Sequence, residues 1–368
     1  MKAAAGAAGQ AAAPGDTSGG TAPVSRRQTM RAIVQAGYGS AGVWQLEEIG
    51  RPAAADGEVL LRVHAAGLDR GTWHLMAGQP YAIRLVSGLR APRNPVPGLD
   101  VAGTVVAAGA DATGFAVGDE VFGIGHGSFA EYALARQDKL VRKPARLTFG
   151  QAAAVAVSGL TALQGLRDAG RLQPGQHVLI TGASGGVGTY AVQLAKALGA
   201  QVTGVCGTAK TDLVTSIGAD HVLDYTRDDF ADGSRRYDLI LDIAGNSPLA
   251  RLRRALTPAG TLVLAGGEDG GRWTGMGRQL RALARSPFTR QRLTMLMSRQ
   301  RRADLETLAQ FIEAGQLTPV VGQTYPLHKA PDAMRDLQAG RARGKLVLTM
   351  TDADDQAPIT TSGHDDVR

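Results

Sequence analysis

H-V-L-I-T-G-A-S-G-G-V-G-T-Y-A-V-Q-L-A-K-A-L-G-A, residues His177 to Ala200, changes its hydrophobic period halfway along. Val178 to Thr181 is a short apolar run with three β-branched residues, bounded upstream by Pro174-Gly175, and reads as a buried strand. Gly182 to Gly188 is a glycine-rich turn. From Val187 onward, Val187, Tyr190, Ala191, Leu194, Ala195 and Leu198 recur at helical spacing until Gly199 ends the pattern. A strand that feeds a helix through such a turn aims the turn's N–H groups and the positive end of the helix dipole at one place, where an anion can sit. In the dinucleotide fingerprint G-x-G-x-x-G, Gly185 is the close-approach glycine and Gly188 the packing glycine, while Ala183 holds the first position. Ser184, Gly185, Gly186, Val187 and Gly188 are the phosphate-binding candidates. The alternative is a tight strand–helix turn that needs only small residues.

Outward from this stretch, strand and helix alternate. Strands are expected at Gln201–Cys206, His221–Asp224, Tyr237–Ile243, Thr261–Ala265 and Leu293–Met297, with helices around Lys210–Ile217 and Pro248–Leu256. Such alternation implies a doubly wound parallel sheet. The preceding part has another rhythm: short strands at Arg31–Gln35, Glu58–Ala65 and Val101–Ala107, and others to about residue 150, are separated by glycine turns. That pattern implies a β-rich, barrel-like domain. Ala152 to Asp168 reads as a bridging helix. Leu305–Ala314 and Met334–Gln338 read as helices and Leu346–Met350 as a last strand. The boundaries expected are a low-complexity disordered tail at 1–28, a first domain at 29–155, a dinucleotide domain at 156–300, a return to the first domain at 301–350 and a mobile tail at 351–368.

Composition narrows the classes. The 368 residues suit about two domains, and no apolar run reaches the roughly 20 residues of a membrane span. The N-terminus lacks a secretion signal pattern, so a cytoplasmic protein is expected. The single cysteine, Cys206, excludes an intramolecular disulfide and reads as an inert core thiol. The net charge of +7 is concentrated between Arg272 and Arg302, which reads as a solvated helix face, and nucleic acid is not an expected partner.

The ordered motifs G-L-D-R-G-T-W, P-G-L-D-V-A-G-T-V, F-A-V-G-D-E-V-F-G, G-S-F-A-E-Y-A, V-S-G-L-T-A-L-Q-G-L, the glycine turn, G-A-D-H-V-L-D-Y and R-G-K-L-V-L run from about Met30 to Met350. Together they resemble the medium-chain dehydrogenase/reductase superfamily, in its zinc-free quinone oxidoreductase branch, that of zeta-crystallin and the chloroplast-envelope quinone oxidoreductase homologues. The resemblance implies an α/β fold of a GroES-like β-rich barrel domain and a Rossmann domain. It also implies a homodimer paired through the edge strand Leu293–Met297 and a small-molecule quinone or enone substrate. The positions matching the zinc ligands of the alcohol dehydrogenases are Asp69, Leu99 and Ala156. Two of them have no donor atom, so no metal is expected.

The cofactor expected is NADPH. The segment Cys206–Lys210, where an NAD site carries a carboxylate for the ribose, has none, and Thr208 and Lys210 can donate to a 2′-phosphate. The resemblance adds Tyr225 and Arg341 beside that phosphate. It places Thr161 facing the nicotinamide, although a threonine bonding back to its own helix reads equally well. It also places Asp69 beside the nicotinamide ribose and Gly266 at the carboxamide. Asp69 and Tyr81 are the catalytic candidates, with His74 and His126 as further proton donors. Without a metal to hold alkoxide charge, a conjugated acceptor is the suitable substrate, because its charge spreads over the enolate. An enoyl-thioester reductase of the polyketide type is the rival within the class. An NADPH-binding crystallin-like or RNA-associating protein is the rival outside it.

Overall fold

A run of strand ends facing one cleft is what the chain builds, and two sheets supply them. The structure, a computed structural model, describes residues 28–266, 273 and 275–350. The expected terminal tails lie outside these residues, apart from Gln28.

The first domain begins with the antiparallel pair β1 (Thr29–Gln35) and β2 (Trp44–Gly50). It continues with β3 (Glu58–Leu68), α1 (Arg70–Ala77), α2 (Arg84–Ser87), β4 (Asp100–Ala108), β5 (Glu120–Ile124), β6 (Tyr132–Arg136) and β7 (Leu140–Arg142). β3 organises this domain. One of its edges pairs along β4, with register shifts at Leu60/Leu61 and Val63/Ala65. Its other edge is shared: residues 58–62 pair with β6 and residues 65–68 with a strand from the C-terminus. A strand that bends to serve two partners curves the sheet around the core of Leu61, Val63, Val101, Phe129 and Leu348. β2 escaped the sequence reading because its Q-L-E-E-I run is mostly exposed and carries no alternation.

Two helices, α3 (Phe149–Ala153) and α4 (Ala156–Gln164), cross to the second domain. The domain comprises β8 (His177–Thr181), α5 (Gly186–Ala197), β9 (Gln201–Cys206), α6 (Thr211–Ser216), β10 (His221–Asp224), β11 (Tyr237–Asp242), α7 (Leu249–Ala255), β12 (Leu256–Leu264), α8 (Gly277–Arg285) and β13 (Arg292–Met295). Its six strands are parallel, in the order β10-β9-β8-β11-β12-β13. Val178 and Ile180 face the core shared with Leu160, Tyr190 and Leu308, whereas Leu179 faces Leu252 and Ala282. Alternate residues of one apolar strand thus serve helices on both faces, as a doubly wound sheet requires.

The chain then forms α9 (Arg302–Glu313), β14 (Val321–Pro326), α10 (Ala330–Gln338) and β15 (Lys345–Thr349). β15 is the C-terminal partner of β3, with Leu346 opposite Leu68 and Thr349 opposite Ala65. The observed fold is therefore the expected GroES-like sheet domain joined to a Rossmann sheet.

Candidate active site

The strand order reverses between β8 and β11, which opens a crevice at the C-terminal ends of the parallel strands. A cavity of about 570 Å³ lies there, lined by Thr181, Gly182, Ser184, Gly207, Thr208 and Tyr225 among others. Its floor is the glycine turn. Gly182 has φ +72°, and a Cβ on Gly188 would stand 2.1 Å from the Gly182 carbonyl oxygen, so the turn closes this tightly only with glycine. A Cβ on Gly185 would meet only that same oxygen, at 3.4 Å, which leaves its other side open to a ligand. Helix α5 starts here, and its first N–H groups have no partner within the helix. The residues present fit a dinucleotide whose phosphates lie on this turn. Ser184 is buried, and its carbonyl accepts from the Gly344 N–H at 2.8 Å, which ties the turn to the start of β15.

The second-strand end of the cleft holds Thr208, Lys210 and Tyr225 as expected. Tyr225 is 65% exposed, with its ring over Gly207. Thr208 donates its hydroxyl to Asp224, the buried last residue of β10. Donation from Thr208 and Thr226 holds the Asp224 carboxyl below the usual carboxylate range. This carboxylate comes from β10, the third Rossmann strand in chain order, and so lies outside the segment Cys206–Lys210 in which a ribose carboxylate is expected. Lys210 donates at 2.7 Å to the carbonyls of both Gly340 and Ala342, which anchors the last loop. Arg341 turns away to Asp336. Arg343 comes closer, donating to the Ala209 carbonyl and to Asp212, and its charge is felt at Lys210. Cys206 is buried, and burial pushes its thiol up to about 11.

On the barrel side three strand ends converge. Asp69 follows β3, Asp100 opens β4 and Lys345 opens β15. The Lys345 ammonium is 2.6 Å from Asp100 Oδ2, 3.6 Å from Asp69 Oδ2 and 3.2 Å from Ser158 Oγ. Lys345 is 1% exposed and Asp100 0%. Asp100 Oδ1 accepts from the Val157 N–H at the start of α4, and Asp69 Oδ1 accepts from Thr72 as the N-cap of α1. Burial pushes the Asp100 carboxyl up to about 6, against the pull of Lys345 and with Asp69 adding to the rise. A Cβ on Gly186 would touch Lys345 Cδ at 3.4 Å and Ser158 Oγ at 3.3 Å, so this cluster lies directly against the glycine turn. Lys345 and Asp100 were not singled out from the sequence, although both stand in quoted motifs. A lysine opening K-L-V-L reads as a solvated strand end.

The remaining candidates divide. Thr161 donates its hydroxyl to the Val157 carbonyl of its own helix, at 2.7 Å. The Gly266 N–H donates to Asp242 and its carbonyl accepts from Gln279; Gly267 lies outside the described residues. Tyr81 packs edge-on against Trp273 under the Arg84 guanidinium. His74 Nδ1 donates to the Gln79 carbonyl at 2.7 Å. His126 is exposed and lines a second cavity of about 220 Å³ with Gln35, Thr72, Met76, Val86 and Leu99. Thr72 joins this cavity to Asp69. Within the basic segment, Arg281 and Arg285 are exposed as expected, but Arg278 is buried against Asp242.

A family model described as an alcohol dehydrogenase GroES-like domain matches residues 55–145, and one described as a zinc-binding dehydrogenase matches residues 217–348. The chloroplast envelope quinone oxidoreductase homolog of Arabidopsis thaliana is 31% identical over 325 residues, 85% of this chain and 95% of that protein. The quinone oxidoreductase of Coxiella burnetii superposes with a TM-score of 0.76 at 28% identity, covering 88% of this chain and 100% of that one. A mycobacterial protein solved in complex with NADPH superposes with a TM-score of 0.75 at 27% identity, covering 87% and 99%.

Proposed function

Because the chain belongs to the medium-chain dehydrogenase/reductase superfamily, in its quinone oxidoreductase branch, and so is an NAD(P)H-dependent oxidoreductase, we propose that it reduces quinones or α,β-unsaturated carbonyls with NADPH and without zinc. The observation that carries this reading is the environment of Asp69. The matching ligand positions Leu99 and Ala156 offer no donor atom, and the free Asp69 oxygen faces the Lys345 ammonium. An ammonium there repels a metal cation.

The bound nicotinamide supplies hydride, and the protein's own residues do the rest. The Gly185–Gly188 turn and the α5 N-terminus hold the phosphates. Lys210 and Arg343 supply positive charge for a 2′-phosphate, while Asp224 is occupied by Thr208 and Thr226. The apolar cavity at Leu99 and Met76 takes the acceptor and keeps water from it. Positioning is then the main catalytic device. β13 is the edge of the Rossmann sheet, and pairing with a second copy through it would cover that edge.

The test is NADPH deuterated at the transferring C4 position, with an enone as acceptor. Deuterium on the β-carbon supports the reading. Deuterium on the carbonyl carbon, or rapid NADP-dependent oxidation of a plain secondary alcohol, refutes it.

A further inference from the structure

The charges under the glycine turn do not balance. β15 supplies the Lys345 ammonium, β4 the Asp100 carboxylate and the β3–α1 junction the Asp69 carboxylate. α4 supplies only the Ser158 hydroxyl and the Val157 N–H. α5 supplies the Tyr190 phenol, which is buried, makes no hydrogen bond among the described residues, and is pushed upward by burial and then by the Asp100 charge. Two carboxylates against one ammonium leave one uncompensated negative charge, in a place closed to water. Asp69 Oδ2 and Asp100 Oδ2 have no neighbouring donor among the described residues except Lys345.

We propose that this cluster takes up a proton on Asp100 when the phosphates of a dinucleotide occupy the turn above it, so that cofactor binding and protonation of that buried carboxylate are a single linked event. The inference rests on the cofactor reading above. The two sites are adjacent, since only the missing side chain of Gly186 separates Lys345 from the turn. Added phosphate charge raises the cost of the buried negative charge and favours protonated Asp100. Burial already pushes the Asp100 carboxyl up to about 6, and an upward shift of about one unit leaves it half protonated at neutral pH. The balance is simple: free enzyme, dinucleotide and one proton from solvent give the complex, and one O–H bond forms. The residues lining the cofactor cleft include no histidine that could take up the proton instead. By linkage, the cofactor then binds more tightly as pH falls, by roughly tenfold in all for a one-unit shift, with the change centred between about pH 7 and pH 6.

The test is calorimetric titration at pH 7.0 in two buffers of different ionisation enthalpy, with NADPH and again with NADH, which lacks the titrating 2′-phosphate. The expected result is an uptake of about 0.4 proton at pH 7.0, common to both cofactors, largely lost in Asp100→Asn. A second measurement needs no variant: the infrared difference spectrum on adding NADH should gain the carbonyl stretch of a protonated carboxylic acid. Binding without proton uptake in the wild-type protein overturns the proposal. So does an Asp100→Asn variant that binds and takes up as much, or the absence of the acid band. If neither cofactor gives any heat or retention, the cofactor reading itself has failed, and the proposal with it.

Discussion

Replacing Lys345 by methionine keeps most of the side-chain length and apolar packing and removes only the charge. The site offers no water to replace it, because Lys345 is 1% exposed and Asp100 0%. Removing one partner of a buried ion pair costs about 3–5 kcal/mol, and here two carboxylates are orphaned, so the upper part of that range is expected at pH 8. For a chain of this size that is a fall in melting temperature of about 5–7 °C. The pH dependence identifies the cause. In the wild type, Asp100 has a folded pKa raised to about 6 from 3.8. Its contribution is therefore fully present below about pH 4 and lost as pH rises through about 6. Without Lys345 the Asp100 pKa rises further, so the loss extends above pH 6, at up to about 1.4 kcal/mol per pH unit. Melts of wild type, Lys345→Met and Lys345→Met/Asp100→Asn at pH 5.5 and pH 8.0 measure this. The single variant should recover most of its loss at the lower pH, and the double variant should exceed the single at pH 8 by about 2 kcal/mol or more. A single variant with the wild-type pH profile, or a double variant no better than the single, would refute the reasoning.

Lys210→Glu should raise the KM for NADPH about tenfold or more and that for NADH far less; a wild-type enzyme that uses both cofactors equally well removes the basis for the prediction. Gly188→Ala should leave a folded protein whose cofactor Kd is weakened at least about tenfold, since its Cβ would meet the Gly182 carbonyl at 2.1 Å; fluorescence titration of NADPH checks it. Light scattering at micromolar concentration should give the mass of a dimer, and a stable monomer would speak against pairing through β13. Elemental analysis should find no stoichiometric zinc in protein purified without chelator.

The fold was legible because its signals are local. Val178–Thr181, the glycine turn and the Tyr190–Leu194 stripe each report one element, and alternation of such units leaves little choice of topology. The cofactor cleft was legible to the extent that it is made of backbone, which glycine spacing reveals. The barrel's far side was not. β2 has no alternation, and β14 runs V-G-Q-T-Y-P with an exposed middle. Side-chain commitments were also out of reach. Whether Thr161 faces a ligand or its own helix is a matter of one rotamer, and nothing in G-L-T-A-L fixes it. Arg341 and Arg343 stand two apart in one loop, and only the packing of α6 against that loop draws Arg343 inward, to Ala209 and Asp212.

The central cluster was hidden for a different reason, and that reason bears on how the two domains work together. Asp69, Asp100 and Lys345 are far apart in the chain, and each sits at a strand end where a charged residue normally meets water. Antiparallel pairing of β3 with both β4 and β15 brings the three ends to one point. Asp100 then caps α4 through Val157, and Gly344 bonds to Ser184. Phe122 and Val347 of the barrel share one apolar core with Leu160 and Tyr190, and that packing joins the domains. Beside the cofactor turn the barrel adds hydrogen bonds and charge, although a buried ion pair gains little over well-packed hydrophobic residues. Charge adds something packing lacks, which is a response to the charge of whatever occupies the turn. A phosphate over Gly186 would change the charge balance at Lys345. The carboxylate at Asp69, the cluster member joined to the acceptor cavity through Thr72, would then sense that the cofactor is in place.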